Sequence, residues 1–331
     1  MTTALKDKRP KSFPPPEFPP KRLPLFARMP PAVFPSVLGL LGLVLALKRA
    51  TLEAGTGAGL ADLAMGLAAG LWFFSAVAYA IKLARRPTVV MEDLSILPGR
   101  AGLAAASVGG FAVSAILGFF SQAIASVVLI LAFALHTGLV LLTVRALLAA
   151  PPEARDVTPA WHLSFVGFIV GALAATPLGW ATAATAILWG TLAVAVAIWL
   201  YSLWQLTRRI PPAPLRPLLA IHLAPASLFA SVGGLLGQTD LAQVMVILGL
   251  LILTALVLAG RWITESGFSP LWGAFTFPLA AYASALLING WVVAGGILTA
   301  IALGVNLAIA WKVIAMWPKG SLAAKTNAAT A

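Results

Sequence analysis

Residues 241–263 read LAQVMVILGLLILTALVLAGRWI: twenty consecutive positions without a charged side chain, closed by Arg261. A helix rises 1.5 Å per residue, so about 20 apolar residues cross the hydrocarbon core of a bilayer. The apolar residues here are contiguous rather than alternating with polar ones, which argues against a barrel strand. Backbone amides in hydrocarbon must be bonded within their own segment, so the stretch reads as a transmembrane helix with its charged end at the interface.

Nine further runs have the same character: Ala32 to Leu47, Leu60 to Leu83, Ala101 to Phe120, Gln122 to Leu148, Ala160 to Trp180, Ala181 to Leu206, Leu215 to Leu236, Leu271 to Ile288 and Trp291 to Trp317. The first is the shortest. A hydrophobic content of 60% and a mean hydropathy of +0.97 agree with an all-α integral membrane protein of ten transmembrane helices. The chain divides into a basic, proline-rich tail at 1–31, a ten-helix domain at 32–317 and a short polar tail at 318–331.

Charge sets the orientation. If Met1 is cytoplasmic, the opposite side holds only Lys48 and Arg49, at the end of the first span, and 20 of the 22 Lys and Arg residues lie inside. By the positive-inside rule both termini are cytoplasmic, in the inner (plasma) membrane. The polar, proline-rich stretch from Lys6 to Lys21 is no signal peptide, and Pro14, Pro15, Pro16, Pro19 and Pro20 read as extended, solvated chain. The net charge of +12 is accounted for by topology, so nucleic acid is not expected as a partner.

The turns outside spans three and four, five and six, and nine and ten are almost nothing, while the cytoplasmic loops are longer and charged. Short connections join antiparallel neighbours, so the spans read as five helical hairpins entering from the cytoplasm. They begin near residues 32, 101, 160, 214 and 270, a spacing that reads as a parallel repeat packed around a central pore. Pro35, Pro225 and Pro278 lie in or near spans one, seven and nine, and Pro159 and Pro177 bracket span five. Even spans lack proline until Pro318, while span three carries Gly109 and Gly110. Kinked helices are tolerated in lipid where neighbours or a water-filled cavity satisfy the freed carbonyl, which assigns the odd spans to the pore wall. The competing reading is the general abundance of proline and glycine in membrane helices.

Chemistry-bearing groups are scarce in the spans. The ten acids, Asp7, Glu17, Glu53, Asp62, Glu92, Asp93, Glu153, Asp156, Asp240 and Glu265, fall in tails, loops or span ends. There is no cysteine, which excludes disulfides and thiol nucleophiles, and His136, His162 and His222 match no short metal motif. An enzyme, a cofactor and a bound metal are therefore not expected. His136 reads as packing between helices, whereas His222, near Pro225, reads equally as packing or as a pore contact. Without acidic rings, cations are a poor fit; a basic cytoplasmic mouth and a lumen of kinks and hydroxyls suit small inorganic or organic anions.

Five strings carry a resemblance: Leu23-Pro24-Leu25; Pro31-Ala-Val-Phe-Pro35-Ser-Val-Leu-Gly39; Val157-Thr-Pro159-Ala-Trp161 with Val166-Gly167; Ile221-His-Leu-Ala-Pro225-Ala-Ser227; and Trp272-Gly-Ala-Phe275-Thr-Phe277-Pro278-Leu. Together they resemble the family of the tellurite-resistance protein TehA and C4-dicarboxylate transporters, which includes the plant guard-cell slow anion channels. The likeness runs from about Arg22 to Trp317. It implies a homotrimer in the lipid bilayer, each subunit with a pore lined by odd helices and closed by a phenylalanine of the ninth. That gate carries over to Phe277, with Phe275 as the fallback. Span three departs from the family tendency to kink at proline, since Pro98 reads as lying just before the helix.

The pore-lining candidates are Pro35, Gly109, Gly110, Gly167, His222, Pro225, Ser227, Thr276 and Pro278. The expected activity is a passive anion channel or uniporter; the alternatives are a proton-coupled, malate-like dicarboxylate transporter or a tellurite-resistance exporter. The charge partition also makes a topological prediction. Reporter fusions after Arg86, Arg209 and Lys319 will read cytoplasmic, and fusions after Thr56 or Gln238 external; an external reading at Arg209 breaks the hairpin scheme.

Overall fold

The computed structural model describes residues 23–57 and 59–331, which are helical with no strand among them. Helix α1 is Phe34–Glu53, led in by a 3-10 turn at Pro31–Val33; α2 is Gly59–Arg85, α3 Val89–Ser95, α4 Leu97–Leu117 and α5 Gln122–Ala149. A π-helical turn, His162–Val166, precedes α6, Phe168–Ala175; α7 is Ala181–Arg208. A 3-10 stretch, Ala213–His222, leads into α8, Leu223–Leu235, followed by α9, Thr239–Leu258, and α10, Gly260–Ile263. The 3-10 turn Pro270–Trp272 opens α11, Gly273–Ile288; α12 is Val292–Met316 and α13 is Ser321–Lys325.

Among the described residues, nine helices are long and apolar enough to cross a membrane, and a tenth apolar stretch, His162–Ala175, is shorter. The expected span at 160–180 is thus not one continuous helix. Pro159 precedes its π turn, and Pro177, which has no N–H to donate, follows α6. Other boundaries move as well. Helix α1 runs beyond Leu47 to Glu53, so Lys48 and Arg49 lie within it, Lys48 paired with Asp62 of α2 at 2.6 Å. Helix α4 starts at Leu97 and takes Pro98 into its first turn, where the missing N–H costs nothing. The run 241–263 breaks at Ala259 into α9 and α10.

The spans sort into two layers. Between 72% and 83% of the apolar window is buried in α1, α4, the α8 segment and α11, against 22–28% in α2, α5, α7, α9 and α12. Inner helices pack in a closed circuit: α1 on α4, α4 on α6, α6 on α8, α8 on α11, and α11 back on α1. Each outer helix leans on its sequence partner and on the next inner helix, as α2 does on α1 and α4. The outer helices display Leu67, Phe73, Leu135, Leu200, Leu251 and Val293 in the open, an apolar surface suited to lipid rather than water.

The polar ends are tied by one buried cluster. Lys82 of α2, fully buried, pairs with Asp93 of α3 at 2.8 Å and donates to Met29 O at 3.0 Å. The other donors to Asp93 are Tyr79 Oη at 3.0 Å and the backbone N–H of Ala329 at 2.9 Å. The C-terminal tail is therefore docked: Leu322 and Ala323 are buried, and Ala331 N donates to Ala27 O at 2.9 Å. Of the amino-terminal tail expected at 1–31, residues 1–22, with the proline run, lie outside the described residues.

Removing one member of a buried ion pair strands the other charge, at a cost of about 3–5 kcal/mol, whereas replacing both with apolar groups is near neutral. Lys82→Met will accordingly lower unfolding stability in detergent by that order, and Lys82→Met with Asp93→Leu will recover most of it. Equal stability of Lys82→Met and the parent would show that the pair carries no weight.

Candidate functional site

Three small cavities lie within the circuit of inner helices, and one side chain, Phe277, borders all of them. The first, about 40 Å³, is walled by Pro35 and Leu38, Pro98 and Ala101, Leu163, Ile221, and Pro278, so every inner segment contributes. The second, about 20 Å³, lies between Val108, His162, Gly167 and Pro225. The third, also about 20 Å³, is bounded by Gly42, Leu45 and Arg49 of α1, Ala112, Leu173, Ser231 and Ser284. Spaces of that size hold about one or two waters each, and the Phe277 ring stands among all three.

Phe277 is held there by the helix opposite. A Cβ on Gly42 would stand 2.9 Å from its Cδ2, and one on Gly39 would stand 2.0 Å from Thr276 Oγ1. Only glycine at both positions lets α1 and α11 approach so closely. Asn306 of α12 locks the contact, donating from Nδ2 to Gly39 O at 3.1 Å and Thr276 O at 3.0 Å. Pro278, next in sequence, has no N–H to return to Ala274, which leaves the turn that carries Phe277 free of one ladder bond.

Of the sequence-derived candidates, Pro35, Gly167, Pro225 and Pro278 border the axial cavities. Four others face elsewhere. A Cβ on Gly109 would meet Trp72 Nε1 of α2 at 2.3 Å, and one on Gly110 would meet Ala132 of α5 at 3.2 Å, so the glycine pair seats outer helices. Trp72 Nε1 donates to Ala106 O at 2.9 Å across that contact. Ser227 returns its hydroxyl to Leu223 O at 2.8 Å, and Thr276 returns its own to Gly273 O at 2.7 Å. Phe275, two positions from Phe277, turns to the other side of α11 and meets the Trp272 ring edge-on at 5.7 Å.

The histidines divide. His136 Nδ1 lies 2.8 Å from Ser107 Oγ, its ring between Phe111 and Phe168, a packing position between α5, α4 and α6. His162 and His222 form a pair, Nε2 to Nδ1 at 3.1 Å, with the remaining ring nitrogens buried and unpartnered. His162 borders the second of the axial cavities, and His222 borders a wider cavity of about 530 Å³ lined also by Asp156, Pro159 and Pro211. That cavity also holds Arg100, whose Nε is buried without a partner, and Arg209, paired with Asp156 at 2.5 Å. Spacing alone did not reveal the histidine pair, because the residues are 60 positions apart.

Arg49 was also missed as a site residue. Its position near the end of the first span marks it as an interfacial charge, yet Gly42, Leu45 and Arg49 recur at helical spacing on the cavity-facing side of α1. Among the described residues, no group of three or more His, Asp or Glu side chains is placed to hold a metal ion.

None of the curated proteins matches the chain. The SLAC1 family model, described as a voltage-dependent anion channel, matches residues 28–317, the span that includes every inner and outer helix up to α12. That family model matches most of the chain and agrees with the family resemblance that the sequence motifs carried: the chain belongs to the SLAC1 family of anion channels.

Proposed function

We propose that the chain is a passive anion channel or uniporter of the inner membrane, its termini cytoplasmic and its lumen closed by Phe277. The observation that carries this reading is the single ring bordering all three axial chambers. His162–Ala175 serves as the tenth crossing, short because inner helices line a lumen rather than span lipid, which completes five hairpins about the axis. The family likeness adds a homotrimeric assembly, with each subunit conducting separately. No catalytic role is assigned.

Anion preference follows from what faces the path. Of the acids whose side chains are described, none borders an axial chamber, while Arg49 and Arg100, with no ion pair among the described residues, stand toward its two ends. Cations meet positive potential at either mouth; anions are concentrated there. The middle offers no strong ligand, which favours throughput over capture.

A second reading, a proton-coupled carrier of dicarboxylates, draws on the His162–His222 pair, the titratable groups nearest the second axial cavity. Proteoliposome flux separates the two. A channel retains downhill anion flux, independent of an imposed proton gradient, when both histidines are changed to Gln; a coupled carrier loses concentrative uptake.

The gate has its own test. An aromatic ring across an apolar lumen blocks ions sterically and by excluding water. Each 1.4 kcal/mol or so removed from a barrier raises flux about tenfold, and removing the Phe277 ring should exceed that step. Phe277→Ala will therefore raise basal anion current at least about tenfold in planar bilayers, with the order of anion preference kept. Phe275→Ala, which alters packing against Trp272, will change it little. Opening by Phe275→Ala alone would move the gate.

A further inference from the structure

We propose that the chamber on the non-cytoplasmic side of Phe277 is a binding site for one small monovalent anion, held by Arg49 with Ser231 and Ser284. Arg49 is a partly buried guanidinium whose Nη1 is enclosed and has no hydrogen-bond partner. The adjacent Lys48 is neutralised by Asp62 at 2.6 Å, and Arg49 has no ion pair of its own among the described residues. Both cations stand on the side of the membrane that the rest of the chain keeps free of positive charge. Lys48 is explained by its partner. Arg49 is explained by a ligand.

The chamber has the composition that such a site needs. Leu45, Leu173, Leu228 and the Phe277 ring make its walls apolar, and three polar residues border it, from three different helices. Arg49 supplies the charge from α1, Ser231 a hydroxyl from α8 and Ser284 a hydroxyl from α11. Ser231 now donates to Ser227 O at 2.9 Å, a local bond that a hydroxyl rotor exchanges for a better acceptor. A buried guanidinium N–H without an acceptor is costly, and an anion bound there removes that cost.

Size and charge select the class. A chamber of about 20 Å³ admits a halide or nitrate stripped of most of its water, not a four-carbon dicarboxylate. Desolvation cost rises with the square of the charge, and one guanidinium offsets a single negative charge, so sulfate is excluded as well. Phe277 forms the inner wall, so the site is complete while the path is closed: the anion waits behind the ring and feeds the lumen when it moves. Only that last role rests on the conduction reading; the binding itself does not.

Bromide is the probe, because its anomalous scattering locates it without assuming conduction. Crystals of the full chain soaked in bromide will show a peak in contact with the Arg49 guanidinium, and Arg49→Gln will abolish it. Equilibrium titration of the purified protein will give a bromide affinity reduced about tenfold or more in Arg49→Gln, largely retained in Arg49→Lys, and insensitive to Arg100→Gln. In the Phe277→Ala background, Arg49→Gln will raise the bromide concentration that half-saturates conductance by a similar factor. A peak absent from Arg49 in the parent, or equal bromide affinity with and without the Arg49 charge, overturns the proposal. If Phe277→Ala fails to conduct while bromide still binds at Arg49, the channel reading falls and the site stands. Should Arg49→Gln not fold, the bromide map of the parent and the titration of Arg49→Lys decide alone.

Discussion

The contact on which the rest of the molecule depends joins the beginning of the chain to its end. Helices α1 and α11 meet backbone to backbone because positions 39 and 42 carry no side chain, and Asn306, 267 residues from Gly39, bonds across the seam. Lipid tails are as apolar as leucine, so burial gives helices little reason to associate within the bilayer; close van der Waals packing and interhelical hydrogen bonds do instead. Each such bond contributes about 0.6 to 1.7 kcal/mol, small alone, but this one closes the circuit of inner helices. With the circuit closed, the ring of Phe277 packs against Gly42 and borders all three axial cavities.

The enclosure explains where irregular backbone is tolerated. The π turn at His162–Val166, the 3-10 stretch at Ala213–His222 and Pro278 within α11 all lie in the inner layer, while α2, α5, α7, α9 and α12 are regular. A helix facing lipid cannot leave a carbonyl unbonded; an inner helix can, because its neighbours and the lumen provide partners. Two outer-layer tryptophans also bond inner-layer carbonyls, Trp72 donating to Ala106 O and Trp199 to His222 O at 3.3 Å. The outer layer thus insulates the inner one from lipid and also satisfies its backbone.

Legibility in the sequence follows the same division. Long apolar runs and charge asymmetry are strong signals, because twenty uncharged residues have few other uses, and prolines marked the inner helices because a freed carbonyl finds a partner more readily among packed neighbours than against lipid. Span five was misjudged for length: Ala160 to Trp180 is apolar throughout, and composition cannot register a π turn or the helix end before Pro177. Gly109 and Gly110 were misplaced because glycine announces a close neighbour without saying whether it is a lumen or an indole. Phe277 came from likeness to a family; helical geometry alone separates it from Phe275 by about 200° and does not say which one faces inward. Arg49 and the histidine pair depend on contacts between helices far apart in sequence, which no local pattern encodes.

Charge bookkeeping across the structure points in one direction. Asp62, Glu92, Asp93, Asp156 and Glu265 are each paired with a Lys or Arg, and Glu53 and Asp240 are exposed to solvent. The acids that could attract cations are therefore spent on holding helix ends together, whereas Arg49 and Arg100, neither in an ion pair among the described residues, border cavities of the inner layer. Between them the small axial cavities have mostly apolar linings, where a bare ion would find little to replace its hydration. If that route conducts, as proposed, a weakly hydrated monovalent anion has the smallest desolvation cost there, and a guanidinium at either end would return part of it. On the proposed conduction reading, selectivity against cations needs no filter of ordered ligands: the paired acids are withheld from the axial cavities, while Arg49 and Arg100 border the inner-layer spaces.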